Sequence, residues 1–422
     1  MLRSKRSRPR TELEHASWKR PDISAVAAIY GSNASGKTTL LDAFAFIAYA
    51  VTESYKSWDP KGGVPRTPFA LERMRTQEPT TFEIEFIASD GLEYQYGASF
   101  GDERIEREYL YSYKTHRRTV IFHRENDDQS DDEWYFGPSF RGPAAHIRAT
   151  TRPNALFLSA AAAAGNEATK SAYSWLVNGF SLYDAKSYDS EHQHVIQKLS
   201  AGDMKYRDGL MRFLKHADLG IVSVDVVREE MSSDRRRELE QILRALPGDP
   251  DRIDEFLENR ELELSFTHQG RDRDVPIPFA WESDGTQALI SFASIAVKAL
   301  EDGSACLVDE IDSSLHPLLV AELVSVFSDP RANPRQAQLI FTTHDVSLIG
   351  RAGGSEKLLD RDQLWVVEKN EEGASAIIGI SEYRSPRLEE NLERGYLTGR
   401  YGGLPKLSIA NELRAAQRSL DA

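Results

Sequence analysis

Apolar residues change their spacing several times along the chain, and each spacing predicts a different element. The run ISAVAAIY at 23–30 is almost continuously apolar, which is typical of a buried strand. Apolar residues then recur at the spacing of one helix face: Leu40, Leu41, Phe44, Ile47, Ala48 and Val51. Between them lies a short polar segment rich in glycine and serine. The pattern therefore predicts a strand, a tight loop and a helix.

The spacing changes to two between about 80 and 125. Two alternating segments flank Asp90-Gly91, which is a strong signal for a hairpin turn, and two further segments continue the pattern. These residues predict an antiparallel meander. The segment 154–166 is interpreted as a strand leading into a helical region, and 167–263 as mainly helical, with charged amphipathic pieces at 235–246 and 250–262.

From residue 276 the pattern is again that of an α/β protein. A helix with a polar start and a glycine stop is predicted at 282–303, followed by strands at 305–312 and 338–345 that end in acids and histidine. Residues 362–380 predict a terminal hairpin. Four parts are expected: a basic arm (1–22), the first part of an α/β domain, called the head (23–159), a mainly helical insertion (160–275) and the second part of the head (276–422).

Composition narrows the class of protein. A chain of 422 residues with 40% hydrophobic residues has ample material for a core, and its formal charge of −14 argues against a general coat for nucleic acid. Residues 1–20 carry seven Lys and Arg. This favours a solvated arm, and a contact with nucleic acid is the alternative. With one cysteine, no apolar run long enough to cross a bilayer and no secretory signal, a cytoplasmic location and no membrane partner are expected.

The loop at 31–38 carries the clearest chemistry. Gly31, Gly36, Lys37 and Thr38 satisfy the spacing G-x-x-x-x-G-K-[ST] of a phosphate-binding loop. Its glycines let backbone N–H groups approach phosphate oxygens, its lysine reaches the β- and γ-phosphates, and its threonine hydroxyl binds Mg²⁺. ATP and Mg²⁺ are therefore the expected cofactors. The predicted nucleotide-binding residues are Gly31, Ser32, Asn33, Ala34, Ser35, Gly36, Lys37, Thr38 and Thr39.

The catalytic half of such a site is predicted further along the chain. Asp309 and Glu310 end an apolar strand, so Asp309 is assigned to the metal, with Thr38, and Glu310 is assigned as the general base. His344, after the next strand, is assigned as the second catalytic residue, which senses the γ-phosphate. Ser283 and Gly285 begin a helix, where N–H groups favour anions, and complete the set of nucleotide contacts.

These motifs in this order resemble the ABC/SMC/RecF-type ATPases. The narrower resemblance is to prokaryotic AAA-type members of overcoming-lysogenization and abortive-infection systems, closest to the RloA/AbiL-type ATPases. It is carried by the motifs TRPNALFLSAAA, ESDGTQ, DEIDSSLHP, TTHD and NLERGYLTGRYGGLP, across residues 23–407. It implies an α/β fold: an ABC-type P-loop ATPase head with an antiparallel β-meander lobe and a helical insertion.

The resemblance also implies a mechanism. ATP would be hydrolysed in a sandwich dimer or higher homo-oligomer, with Ser283–Gly285 of one chain on the nucleotide of the other and Ser313–His316 crossing the interface. No glutamine of this chain convincingly fills the role of the Q-loop residue in these ATPases. Gln77 is one candidate, and the segment around Ser159 is the alternative. The 78 residues after His344 are too few for the Toprim nuclease domain of related proteins, so a separate Toprim-type effector encoded nearby is expected.

The expected function is therefore an ATP-hydrolysing sensor or regulator in antiphage defence. One alternative is a RecF-like DNA-repair ATPase that binds DNA directly. The other is the ATPase subunit of a transporter, against which the meander and the long insertion count.

Overall fold

The structure is a computed structural model, and its described residues form several continuous segments. They are 23–114, 117–126, 133–183, 188–217, 219–228, 262–313, 315–350, 357–383 and 391–404, with the single residues 237, 240 and 244. The predicted basic arm at 1–22 lies outside them. So do most of an acidic segment at 125–133 and nearly all of the charged helical pieces at 235–246 and 250–262.

The helices and strands are numbered in chain order. The helices are α1 (Lys37–Glu53), α2 (Ala144–Thr150), α3 (Phe157–Ala163), α4 (Glu167–Asn178), α5 (Tyr188–Ser200), α6 (Met204–His216), α7 (Asp284–Asp302), α8 (Pro317–Ser328) and α9 (Leu392–Leu397). The strands are β1 (Val26–Tyr30), β2 (Thr80–Ile87), β3 (Glu93–Phe100), β4 (Ile105–Tyr113), β5 (Arg118–Glu125), β6 (Glu133–Phe136), β7 (Phe180–Tyr183), β8 (Ile221–Arg228), β9 (Leu262–His268), β10 (Val275–Pro278), β11 (Ala305–Val308), β12 (Gln338–Thr342), β13 (Leu364–Lys369) and β14 (Ser375–Gly379).

A six-stranded sheet organises the head, in the order β14-β13-β1-β12-β11-β7. Its pairs are parallel except β13–β14, which form the antiparallel hairpin predicted from the sequence. Because parallel strands end at one edge, the residues after β1, β11 and β12 are brought together there. This edge, the carboxyl edge, holds the candidate site.

Helices cover both faces of this sheet, and the alternation of side chains in β11 shows why. Leu307 faces Leu41 of α1, whereas Cys306 and Val308 belong to the opposite core with Phe292 of α7. A strand covered on both faces must be apolar at every position, which accounts for its uninterrupted apolar sequence.

The predicted antiparallel meander is confirmed as a second sheet, in the order β2-β3-β4-β5-β6. The hairpin turn lies at Asp90–Gly91, where Gly91 adopts φ 77°, a conformation that suits glycine. A small third sheet, β10-β9-β8, shares a core with α5, α6 and α7. The predicted α/β class, with a parallel sheet and a meander, is confirmed.

Two expectations need correction. The segment 154–166 contains no strand; a turn leads into α3, whose residues from Phe157 to Ala161 are all buried. A short apolar run has the same composition in a buried strand and a buried helix, so its spacing could not distinguish them. The segment 160–275 also contains β7, β8 and β9 besides its helices, and β7 belongs to the central sheet. The division into domains stays a prediction.

None of the helices in the described part of the chain combines the length and the apolar character that crossing a bilayer requires.

Candidate functional site

The phosphate loop joins β1 to α1 in the conformation that its glycines permit. Gly36 caps α1 with φ 104°, in the left-handed region, where a side chain would be strained. Gly31 is required for space: a Cβ there would lie 2.6 Å from both Ser35 Oγ and the Val367 carbonyl oxygen. Asn33, Ala34, Thr38 and Thr39 are exposed around the loop, so its outer surface is accessible to a ligand.

Lys37 lies inside this loop and is almost completely buried. Its ammonium donates to the carbonyl oxygens of Gly31 at 2.9 Å and Ser32 at 3.2 Å, and lies 3.1 Å from His344 Nε2. Burial lowers the pKa of Lys37, while the nearby carboxylates of Glu310 and Asp309 act in the opposite direction. The loop lysine and the predicted sensor, which are 307 residues apart in sequence, therefore meet at the carboxyl edge.

The predicted metal residues also meet. Thr38 Oγ1 donates a hydrogen bond of 2.7 Å to Asp309 Oδ2. Hydroxyl and carboxylate oxygens suit Mg²⁺, which commonly takes its remaining ligands from phosphates and water. Among the described residues, no group of three or more His, Cys, Asp or Glu side chains is arranged to hold a metal. The pair therefore fits an ion that protein and nucleotide bind jointly.

Glu310 follows Asp309 in an unusual backbone conformation. Its φ is 48°, in the left-handed region that residues other than glycine rarely adopt, and its side chain is exposed beside the loop. Such backbone strain is concentrated at functional sites, where the surrounding structure holds it. The conformation is consistent with a carboxylate presented to a bound ligand.

Asp312 is a site residue to which the sequence analysis gave no role. Both of its carboxylate oxygens accept from the backbone N–H of His344, at 3.2 and 3.3 Å. The residue stands in the quoted motif DEIDSSLHP, so a signal was present, but its partner could be identified only from the fold. Asp312 thus links the acidic strand end to the sensor.

The predicted nucleotide contacts Ser283 and Gly285, here called the signature, do not lie at the phosphate loop of their own chain. Ser283 caps the 19-residue helix α7, accepting from the Thr286 N–H at 3.2 Å, and a Cβ on Gly285 would meet open space. Tyr183 donates to the Ala288 carbonyl at 3.1 Å, which places the start of α7 at the end of β7. Since β7 is three strands from β1, the start of α7 is displaced from the phosphate loop by about 14 Å across the sheet. The helix α7 also packs on the face of the sheet opposite to α1.

Of the predicted interface loop, the structure describes three of four residues. Ser313 and His316 are exposed, and the His316 ring accepts from the Leu318 N–H at 3.3 Å to cap α8. Ser314 lies outside the described residues.

The two candidates for the Q-loop residue, Gln77 and Ser159, lie in different parts of the structure. Ser159 Oγ accepts from the Tyr55 N–H at 3.4 Å, just beyond the last residue of α1. Seventeen helical residues span about 25 Å, so Ser159 lies far from the phosphate loop, which begins the same helix. Gln77 is exposed in the segment between α1 and β2. The position of Ser159 counts against it, and the Q-loop role stays unassigned.

The described residues of the C-terminal motif NLERGYLTGRYGGLP lie against the phosphate loop. A Cβ on Gly403 would come within 3.5 Å of Gly31 Cα, and the ring of Tyr396 packs edge-on against Tyr30 at 5.4 Å. The position of this motif could not be predicted from the sequence. Its glycines allow the chain to approach the first residue of the loop.

The solved structures that match the fold include SMC heads and a RecF protein. An SMC head bound to the C-terminal winged-helix domain of ScpA has 15% identity and a TM-score of 0.43, with 85% of this chain and 91% of that chain covered. The SMC head domain from Thermotoga maritima has 16% identity and a TM-score of 0.33, covering 83% and 89%. The recombination mediator protein RecF-ATPrS of the RecFOR pathway has 11% identity and a TM-score of 0.27, covering 83% and 91%.

No curated protein matches the sequence significantly. A family model does match, over residues 26–350, which include the phosphate loop, the signature, the acidic strand end and His344. Because that match spans most of the chain and all of these elements, the chain belongs to the P-loop family described as "AAA domain, putative AbiEii toxin, Type IV TA system".

Proposed function

We propose that this protein binds ATP with Mg²⁺ at the phosphate loop and hydrolyses it. The observation that carries the proposal is the convergence at one sheet edge. Lys37 lies 3.1 Å from His344, and Thr38 hydrogen-bonds Asp309 at 2.7 Å. A nucleotide on this loop would place its terminal phosphate among these four side chains.

Each side chain has a chemical role in this proposal. Lys37 turns from the loop carbonyls to the β- and γ-phosphates, and His344 contacts the γ-phosphate. Glu310 accepts the proton of the attacking water, which makes that water a better nucleophile. Thr38 and Asp309 would hold Mg²⁺, which would supply positive charge to the phosphate oxygens. The exposed Glu310 carboxylate has access to solvent, as a base that activates water requires.

The proposal includes a dimer. Ser283 and Gly285 are exposed at a helix start and lie too far from Lys37 to bind the same nucleotide. A second copy facing the carboxyl edge would place its α7 on that nucleotide. Two composite sites would then hold the dimer together only while ATP is present.

At the level of biology, we propose a sensor or regulator in antiphage defence of the RloA/AbiL type, which controls a separate effector nuclease through ATP-dependent dimerisation. The family description, which names an AbiEii toxin and a type IV toxin–antitoxin system, supports this context. The alternative is a RecF-like DNA-repair ATPase. The net charge of −14 makes direct binding to DNA the less favoured reading.

The test uses Glu310→Gln, which keeps the size of the side chain but cannot accept a proton. Hydrolysis should slow by roughly 10²–10⁴-fold, the usual contribution of a general base. ATP binding should persist, so light scattering should show a longer-lived ATP-dependent dimer than in the wild type. Glu322→Gln, the same change at an exposed position of α8, is the matched control.

Wild-type hydrolysis by Glu310→Gln would remove this residue from the mechanism. A monomer at every ATP concentration would contradict the dimer. Salt-dependent DNA affinity of the purified protein alone would favour the repair alternative. Co-purification with the product of an adjacent gene would identify the effector.

A further inference from the structure

The hydroxyl of Thr342, at the end of β12, contacts both residues of the acidic pair. It donates to Asp309 Oδ1 at 2.5 Å and accepts from the backbone N–H of Glu310 at 2.7 Å. Thr342 itself is fully buried, and its two hydrogen bonds are partly buried. One hydroxyl therefore satisfies the metal-side carboxylate and the backbone of the general base at the same time.

Residues 309–312, which contain the acidic pair, are attached to β12 and the residues after it at further points. The backbone N–H of Ile311 donates to the Thr342 carbonyl at 3.1 Å, and Asp312 accepts from the His344 N–H. Four successive residues, 309–312, are thus tied to residues 342 and 344. The left-handed φ of 48° at Glu310 lies in the middle of this arrangement.

These two observations are connected by a physical requirement. A strained conformation persists only where its surroundings hold it. If the Glu310 N–H lost its acceptor, the segment could relax toward an ordinary conformation, and the carboxylate would leave its place beside the loop. Asp309 Oδ2, which meets Thr38, is likewise oriented by the hydrogen bond at Oδ1.

We infer that Thr342 is a positioning residue: its hydroxyl orients Asp309 toward the metal and holds Glu310 in the conformation that hydrolysis needs. The inference rests on the proposed ATPase function and adds a residue outside its assigned set. Because its side chain is fully buried behind Asp309 and Glu310, Thr342 acts through these two acids. Residues that orient metal ligands from behind typically contribute 10–100-fold in metal affinity or activity.

The test compares Thr342→Val, which keeps the branched shape without the hydroxyl, with Thr342→Ser, which keeps the hydroxyl. The matched control is Thr343→Val. Thr343 is the next residue and is equally buried. Its hydroxyl accepts from the Asp345 backbone N–H at 3.0 Å and has no role at the pair Asp309–Glu310. Thermal melting of all three variants reports whether the fold is retained.

Two binding measurements separate positioning from a general structural role. By calorimetry, Thr342→Val should weaken ATP binding in Mg²⁺ by about 10–100-fold, and leave ATP binding in EDTA unchanged because the lysine and loop amides remain. Its hydrolysis rate should fall by a similar factor. Thr342→Ser should restore both quantities, and Thr343→Val should affect neither.

The inference is overturned if Thr342→Val binds Mg²⁺–ATP as the wild type does, if serine does not rescue it, or if Thr343→Val loses as much. These outcomes differ from failure of the proposed function. Wild-type turnover by Glu310→Gln, or no ATP binding by the wild type, would refute the proposed mechanism whatever Thr342 does.

Discussion

A buried ion pair between Glu108 of β4 and Arg124 of β5 permits a quantitative prediction about stability. The Arg124 guanidinium lies 2.9 Å from Glu108 Oε2, and both side chains are almost completely inaccessible to solvent. The carboxylate also accepts from the Tyr96 hydroxyl and from the N–H groups of Phe157 and Leu158 at the start of α3. It therefore joins the meander to the helix that packs against the end of α1.

The perturbation is Arg124→Met, which leaves this carboxylate buried without its cation. Removing one partner of a buried pair costs about 3–5 kcal/mol. Three donors remain on Glu108, so the lower end, about 3 kcal/mol, is expected. Glu108→Gln leaves the Arg124 cation buried without its counter-ion, so it should also cost about 3–5 kcal/mol, and its amide oxygen cannot accept from all four donors. The double variant should cost at least about 1 kcal/mol less than the sum, because no buried charge remains.

The assay is urea unfolding of the two single variants, the double variant and a control. Arg118→Met serves as the control, because Arg118 is exposed and its guanidinium lies 4.8 Å from the centre of the Tyr111 ring. An exposed contact of this kind contributes about 0.5–1 kcal/mol. A cost below about 1 kcal/mol for Arg124→Met, or single effects that simply add within about 0.5 kcal/mol, would refute the reasoning.

Two further predictions concern the nucleotide. Lys37→Ala removes the cation expected to face the β- and γ-phosphates, so ATP affinity by calorimetry should fall by at least about tenfold; equal affinity would refute the phosphate-loop assignment. Lys56→Ala, an exposed lysine just beyond α1, is its control. Mixing Lys37→Ala with Ser283→Arg chains should restore ATPase activity, because one composite site in a mixed dimer is intact. Activity no higher than that of either variant alone, with mixed dimers shown to form, would count against a shared site.

Much of the candidate site could be predicted because its motifs are local. The spacing of Gly31, Gly36 and Lys37 is a property of one loop, and its strand and helix follow from the apolar spacing on either side. The serine cap and glycine stop of α7 were likewise visible, and the structure confirms both, with Gly303 at φ 72°. Such signals depend on neighbours within one turn of the chain.

The errors have an equally local explanation. The buried helix α3 was interpreted as beginning with a strand, because its seven residues are apolar except for Ser159 and so have no polar face to reveal their period. The strand β7 was missed because it is only four residues long and follows directly after α4. Its identity as a strand comes from pairing with β11, which lies far along the chain.

The sequence by itself determined the phosphate loop, the order of the motifs, the meander and the ends of the long helices, because these depend on the spacing of adjacent residues and on backbone preferences. Only the tertiary structure decided which residues meet. Parallel pairing of β1, β11 and β12 brings Lys37 to His344, Thr38 to Asp309 and the Thr342 hydroxyl to both acids. The same pairing leaves Ser283 three strands away from the loop. These contacts join residues that are 32 to 307 positions apart. Their geometry depends on which strands pair in the sheet, and that pairing is decided by the tertiary structure.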